Sequence, residues 1–458
     1  MRLPLPISLA RVALVAALGT TAGACGRAGG DAAGGPRPSD AEMLQTAMRH
    51  LTSVIVYDIF SPPQAARAYT YASVAAYEVL RQGSDAHRSL AGQLNGLAPV
   101  PLPVARDSVD LPLAGVHAFM TVGRQLTFSR ERMDSLRTAL DDRYRLAGLP
   151  APVYERSIAY GDTVAQHVLA WAAKDRFLQT RGMPKFSVTG EPGRWIPTPP
   201  AYMDAVEPNW GALRPFALDS AGQYGAEPPY AFDTTATSRF FREVREVYEV
   251  QRAITDEQRV LTAFWDCNPY VMHVQGHAMF ATKKITPGGH WMGIAGIAAR
   301  QARASAVETA EAYARTAVAL ADGFLTSWET KYRTGVVRPE TVINTYLDPA
   351  WAPLLQTPPF PEYTSGHSVI SNAAAAVLTA QFGPNVRFID STETPYGLPA
   401  RTFPSFQAAA DEAAISRLYG GIHYRHSIEQ GSAQGKRVGA HVVAHVRTRV
   451  GEPTVAQR

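Results

Sequence analysis

Three short clusters in the second half of the chain carry residue types suited to one task, the holding of a tetrahedral oxyanion. The first is KYRTGVVRP, in which Lys331 and Arg338 are separated by six residues and Pro339 closes the segment. The second is Ser365-Gly366-His367, where the proline-rich PPFPEYTSGHS opens onto the alanine-rich NAAAAVLTAQFG. The third is SRLYGGIH, with Arg417 and His423 separated by five residues and a Gly420-Gly421 break between them. A multiply charged oxyanion matches forked arginine donors, a lysine point charge, a serine hydroxyl and a glycine N–H. The start of a helix favours an anion on its own account. Two histidines supply the rest, one to bond the central atom and one to move protons. Taken singly, Lys331 or Arg338 reads as a solvated surface charge, Ser-Gly-His as a helix cap and His423 as a core histidine. Their ordered combination points to a site.

Such residues need rigid supports, and the chain reads as all-α, two packed helical bundles joined by a long Pro/Gly/aromatic-rich loop. Apolar residues recur three and four apart through DAEMLQTAMRHLTSVIVYDIF, AARAYTYASVAAYEVLRQG, SRERMDSLRTALDDRYRLAG and ERSIAYGDTVAQHVLAWAAKDRF. Ser61-Pro62-Pro63 separates the first two, and Ser129 is the expected cap of the third. Helical spacing resumes in SRFFREVREVYEV and DEQRVLTAFWDC, runs without a break from about His290 to Tyr332, and returns in two helices after 366 and 405. The bundles are assigned to 41–178 and 236–458, the second carrying the oxyanion residues. Between them, 179–235 reads as an ordered loop whose aromatics need a surface to pack on.

Apolar residues make up 46% and charged residues 18% of 458, with a net charge of +4 and no block of like charge. That balance fits a folded globular chain and argues against nucleic acid or an acidic membrane surface as partner. Residues 1–25 have the build of a lipoprotein-type export signal, with two arginines, the apolar VALVAAL and Ala22-Gly23-Ala24-Cys25 at the end. A lipid on Cys25 would tether the chain, through the flexible 26–40, at a periplasmic or cell-surface location. The other cysteine is Cys267, so no internal disulfide is expected after lipidation, and no cysteine-based metal site.

The three clusters resemble the signature shared by vanadium-dependent haloperoxidases and type-2 phosphatidic-acid-phosphatase-like acid phosphatases. The resemblance implies that Lys331, Arg338 and Arg417 hold the oxyanion, with Ser365 and the Gly366 amide on its equatorial oxygens. His367 would be the acid–base residue and Lys331 would polarise the peroxide. His423 would be the apical partner, on vanadium in a haloperoxidase or on phosphorus in a phosphatase. Vanadate is the implied cofactor, and phosphate fits the same site, because five-coordinate vanadate has the shape of a phosphoryl-transfer transition state. Two positions depart from the family pattern: Thr364 stands where Pro is usual, and Ser427 where an Asp usually orients the apical imidazole. Ser427 and Glu429 are the nearby replacements.

The long helical region before Lys331 favours the haloperoxidase side of the resemblance. Trp328, one turn before Lys331, and Phe360 match an aromatic pair of the family's chloroperoxidases and would form a halide pocket. AFWDC and TPGGHW resemble segments flanking the site in bacterial relatives. Asp266 is expected to restrain a site cation, and His290 and Trp291 to serve packing. His273 and His277, four residues apart, would share a face if helical, though without further ligands for zinc. The implied activity uses hydrogen peroxide to turn halide into a hypohalous-acid equivalent that halogenates a small organic substrate. An acid phosphatase working through phosphohistidine, or a non-catalytic oxyanion-binding surface lipoprotein, are the alternatives. The sequence does not select the halide, the organic acceptor or an oligomeric state.

Overall fold

A computed structural model describes residues 39–451. The export signal, Cys25 and all but the last residues of the tether lie outside these described residues. The first half holds α1 (Asp40–Tyr57), α2 (Pro62–Leu80), α3 (Leu111–Leu126), α4 (Arg130–Leu146), α5 (Ala151–Ala172) and the short α6 (Phe177–Arg181). The second half holds α7 (Arg239–Arg252), α8 (Asp256–Phe264), α9 (Pro287–Gln301), α10 (Ala306–Thr334), α11 (Pro339–Tyr346), α12 (Gly366–Phe382), α13 (Phe406–Tyr419) and α14 (Arg425–His445).

Local chemistry explains most boundaries. Ser61 accepts a hydrogen bond from the Gln64 amide, and Pro62 occupies the first turn of α2, where no N–H is missed. The run expected to be unbroken from His290 to Tyr332 is instead two helices. Ser305 and Glu308 form a capping box that starts α10, and Arg303 just before it has a positive φ of 52°. Ser129 stands at the cap position of α4, but its hydroxyl bonds Asp58 instead of the α4 backbone. Sequence spacing does not single out α3, α6, α11 or α14; α3 is buried from Leu113 to Gly123 apart from Thr121, and α14 carries Gly431, Gly435 and Gly439 at four-residue intervals.

α10 lies at the centre, packed between α2 of the first bundle and α12 of the second, and most of its residues from Thr309 to Trp328 are buried. A single cluster of buried apolar side chains therefore runs through both bundles, and a smaller one joins α7, α11 and α13. α12 and α14 approach so closely that side chains are excluded between them. A Cβ at Gly435 would stand 2.0 Å from the Val369 carbonyl oxygen, at Gly439 2.7 Å from that of Ala373, and at Gly431 2.9 Å from that of Ser365. This glycine row locks the start of α12, which bears Ser365 to His367, against the helix that follows His423.

The loop between the bundles has little regular structure, yet Trp195 and Trp210 in it are buried. It is tied to the second bundle by Trp195 N–H to Gly335 O (2.8 Å) and Val206 N–H to Pro359 O (2.9 Å). Two small antiparallel hairpins complete the described residues: β1 (Val271–Gln275) with β2 (Ala278–Thr282), and β3 (Phe388–Asp390) with β4 (Arg401–Phe403). His273 lies on β1 and His277 in the turn after it, so the helical pairing expected for them does not occur; the His273 ring stacks on Phe280 instead.

Candidate active site

The three sequence clusters meet at one end of the second bundle. Lys331 comes from the last turn of α10, Arg338 immediately precedes α11, and Ser365 caps α12 by accepting from the Ser368 amide. Gly366 and His367 open α12, Arg417 lies in the last turn of α13, and His423 sits in the loop before α14. The Gly420-Gly421 break lets the chain reverse there, with Gly421 at φ 76°. His367, His423, Arg417 and Gly366 line a cavity of about 550 Å³, whose walls include Trp328 and Phe360. The Trp328 and Phe360 rings are 4.8 Å apart, and the Lys331 ammonium lies 5.2 Å from the Phe360 ring.

Lys331 and Arg338 are 0% exposed, Arg417 1% and His423 3%, so the cations are withdrawn from water. Lys331 Nζ donates to the carbonyls of Pro361 (3.2 Å), Glu362 (2.9 Å) and Thr364 (2.5 Å). Arg338 donates through Nε to Phe360 O (2.9 Å) and through Nη1 to Ile422 O (2.8 Å), and Nη1 lies 3.3 Å from His423 Nε2. Arg417 donates to Trp265 O at 2.7 Å. The Trp265 backbone also bonds the His367 ring. Arg338 Nη2 and His367 Nε2 are buried without a partner.

Burial holds Lys331 well below the usual lysine range, with Arg338 pushing the same way. It lowers Arg338 to about 10 against the pull of Glu362, and it lowers Arg417. His367 and His423 are both held well below the ordinary histidine range by burial and the surrounding cations, and are neutral. Removing cations from water without matching anions is costly. A bound oxyanion would supply the missing negative charge and accept from the orphaned Arg338 nitrogen. A Cβ at Gly366 would stand 3.5 Å from Trp328 and 3.9 Å from Lys331 Cε, so glycine keeps the backbone open to an ion there.

The carboxylate that orients His423 comes from a residue that sequence reasoning passed over. Glu362 Oε1 accepts from His423 Nδ1 at 2.6 Å and from the Tyr424 amide at 3.2 Å, fully buried. Ser427 is only a distant neighbour of Nδ1 at 3.5 Å, and Glu429 is exposed on α14. The available signal was a single acidic residue in the otherwise uncharged PPFPEYTSGHS. Burial raises the Glu362 carboxyl, while Arg338 and Lys331 lower it. Thr364, in the usual proline position, donates to Gln434 Oε1 and presents its carbonyl to Lys331. Asp266 pairs with Lys284 at 2.5 Å, so its restraint on the site cations reaches Arg417 only as a nearby charge.

His290 is packed, as expected, but within a polar cluster. Cys267, His290 and Glu393 come together, although no cysteine-based site was expected from a cysteine count that ignores other donors. Trp291 donates to Ser371 in the core.

A profile of the second helical-bundle domain of VCPO matches residues 311–452. A bacterial vanadium-dependent iodoperoxidase of known structure is 49% identical, with 89% of this chain and 97% of that one covered and a TM-score of 0.84. This chain belongs to the vanadium-dependent haloperoxidase family. It is an enzyme of that type, and its helical fold is the family's. An apo-type bacterial vanadium-dependent chloroperoxidase, at 15% identity, aligns over 84% of this chain and 94% of its own with a TM-score of 0.62. Its holo-type counterpart, at 16%, aligns over 90% and 96% with a TM-score of 0.61, and both report the fold alone. A search of curated protein sequences finds no match.

Proposed function

We propose that this enzyme holds vanadate between Lys331, Arg338, Ser365, Gly366, Arg417 and His423, and uses hydrogen peroxide to oxidise iodide for transfer to a small organic acceptor. The observation that carries this is the gathering of three buried cations, Lys331, Arg338 and Arg417, with one buried carboxylate, Glu362, at one end of the second bundle, where Arg338 Nη2 and His367 Nε2 are left without partners. Vanadate, when bound, supplies a Lewis acid that activates peroxide without changing its own oxidation state. His423 would turn Nε2 to the metal, since Glu362 holds the proton on Nδ1. His367, kept neutral with Nε2 free, can take a proton from hydrogen peroxide. The buried Lys331, Arg338 and Arg417 offset negative charge in surroundings where little water competes.

Whole-length likeness to an iodoperoxidase supports iodide as the halide. The Trp328–Phe360 pair, a chloroperoxidase-like feature, gives the halide an apolar wall. Phe60, Met203 and Met272 extend that wall, leaving room for an apolar acceptor beside the cage. Export, with a lipid on Cys25, is part of this reading and rests on the first 25 residues.

The test is peroxide-dependent iodide oxidation by purified protein, with and without added vanadate. Vanadate-dependent turnover with iodide is expected; none with iodide or bromide would reject the proposal. Peroxide-free hydrolysis of p-nitrophenyl phosphate, abolished by His423→Ala, would favour the phosphatase chemistry instead.

A further inference from the structure

Apart from the oxyanion cage, one cluster of ligating side chains is completely buried. Cys267 comes from the turn after α8, His290 from the first turn of α9, and Glu393 from the loop joining β3 to β4. Cys267 Sγ lies 3.4 Å from His290 Nδ1 and 3.7 Å from Glu393 Oε1, and Nδ1 lies 3.0 Å from Oε1. A tetrahedral ion with one thiolate at about 2.3 Å and nitrogen and oxygen ligands near 2.0–2.1 Å spaces its donors by about 3.4–3.6 Å. The observed triangle is already close to that size.

The other ring nitrogen, His290 Nε2, lies 2.8 Å from Asp390 Oδ2. Asp390 is itself held by the Thr392 amide (3.0 Å) and hydroxyl (2.6 Å). A carboxylate on the far nitrogen of a ligating histidine is the usual way a protein fixes the tautomer that offers its lone pair to a metal. A metal-free imidazolium between Asp390 and Glu393 would account for the two carboxylates. The thiol then has only a long donation to the same Glu393 oxygen at 3.7 Å, with Sγ also 3.4 Å from Nδ1, so three potential ligand atoms converge on one point. An ion among the three donors satisfies all of them and takes the place of two protons, one from sulfur and one from Nδ1.

We propose that Cys267, His290 and Glu393 bind a divalent transition metal, zinc by its mixed thiolate, imidazole and carboxylate donors, with Asp390 orienting His290. The ion would be structural. It joins α9 and the β3–β4 loop to the turn bearing Trp265, whose backbone holds Arg417 and His367. The proposal is independent of the halide and of vanadate loading.

The full chain, produced in zinc-supplemented medium and desalted free of vanadate, is assayed for metal by mass spectrometry. About one zinc per chain is expected, falling below about 0.2 in Cys267→Ala and in Glu393→Gln, and unchanged in His273→Ala. Protein grown with cobalt should show thiolate-to-cobalt absorption in the near ultraviolet, and 1,10-phenanthroline should lower its melting temperature. If the variants fail to fold, the wild-type metal content and the cobalt spectrum decide. Less than about 0.1 divalent metal per wild-type chain, or zinc retained in folded Cys267→Ala, overturns the assignment.

Discussion

His117, in the core of the first bundle, and His423, at the cavity of the second, are both buried but keep opposite company. His117 lies between Asp141 (3.0 Å) and Asp162 (2.9 Å), both ring nitrogens bonded to carboxylates. Burial alone would lower its pKa, but the two acids overcome that and raise it to about 9. His423 has one carboxylate, Glu362, and three neighbouring cations, and burial followed by those cations takes its pKa well below the ordinary range. The first arrangement holds a protonated ring between two carboxylates and contributes to stability. The second is short of negative charge, as the proposed oxyanion site would require. What separates these two histidines is the charge balance of their shells, since burial is shared.

The contrast can be broken by substitution. His423→Ala should reduce vanadate-dependent halide oxidation to background and, by leaving the fully buried Glu362 without its ring partner, should lower the melting temperature as well. Glu362→Gln should weaken vanadate binding, read by equilibrium titration, by about 10–100-fold, the usual scale for losing the partner that orients a ligand. Ser427→Ala should change it little. His117→Ala should differ from His423→Ala in turnover, retaining it in the folded enzyme, while costing about 3 kcal/mol in denaturant unfolding because Asp141 is left buried without its ring partner.

A pH titration sharpens the same comparison with a smaller effect. The folded His117 keeps its proton to about 9, whereas an unfolded histidine loses it near about 6.5. Its contribution to stability is therefore complete below the lower value and is lost as pH rises through the higher one. Wild-type protein should lose stability across that window, and His117→Ala should show a flatter profile.

Much of this was legible in the letters. Lys331, Arg338, Ser365, Gly366, His367, Arg417 and His423 could be singled out because anion chemistry restricts residue type and they lie in short segments with recognisable spacing, which the fold brings to one end of the second bundle. The helices with a polar face were legible for a similar reason, since apolar spacing records which side is buried. α3 was not singled out, although its apolar spacing is no weaker than that of α2. The break between α9 and α10 was misread although its marks, Ser305 and Glu308, were present, because apolar periodicity continues across them.

Glu362 and the Cys267–His290–Glu393 cluster show the opposite limit. Nothing near His423 in sequence identifies Glu362 as the carboxylate on its ring, 61 residues away. Nor does any spacing motif join Cys267 to a glutamate 126 residues later.

The amino-acid order by itself determined the helical class, the oxyanion-binding residue types and their succession along the chain, because these depend on local periodicity and side-chain chemistry. Only the tertiary structure decided which carboxylate faces which histidine, which cations lack an anion, and how near α12 and α14 approach. Those are properties of distance and burial, and they arise when remote segments share one low-dielectric space.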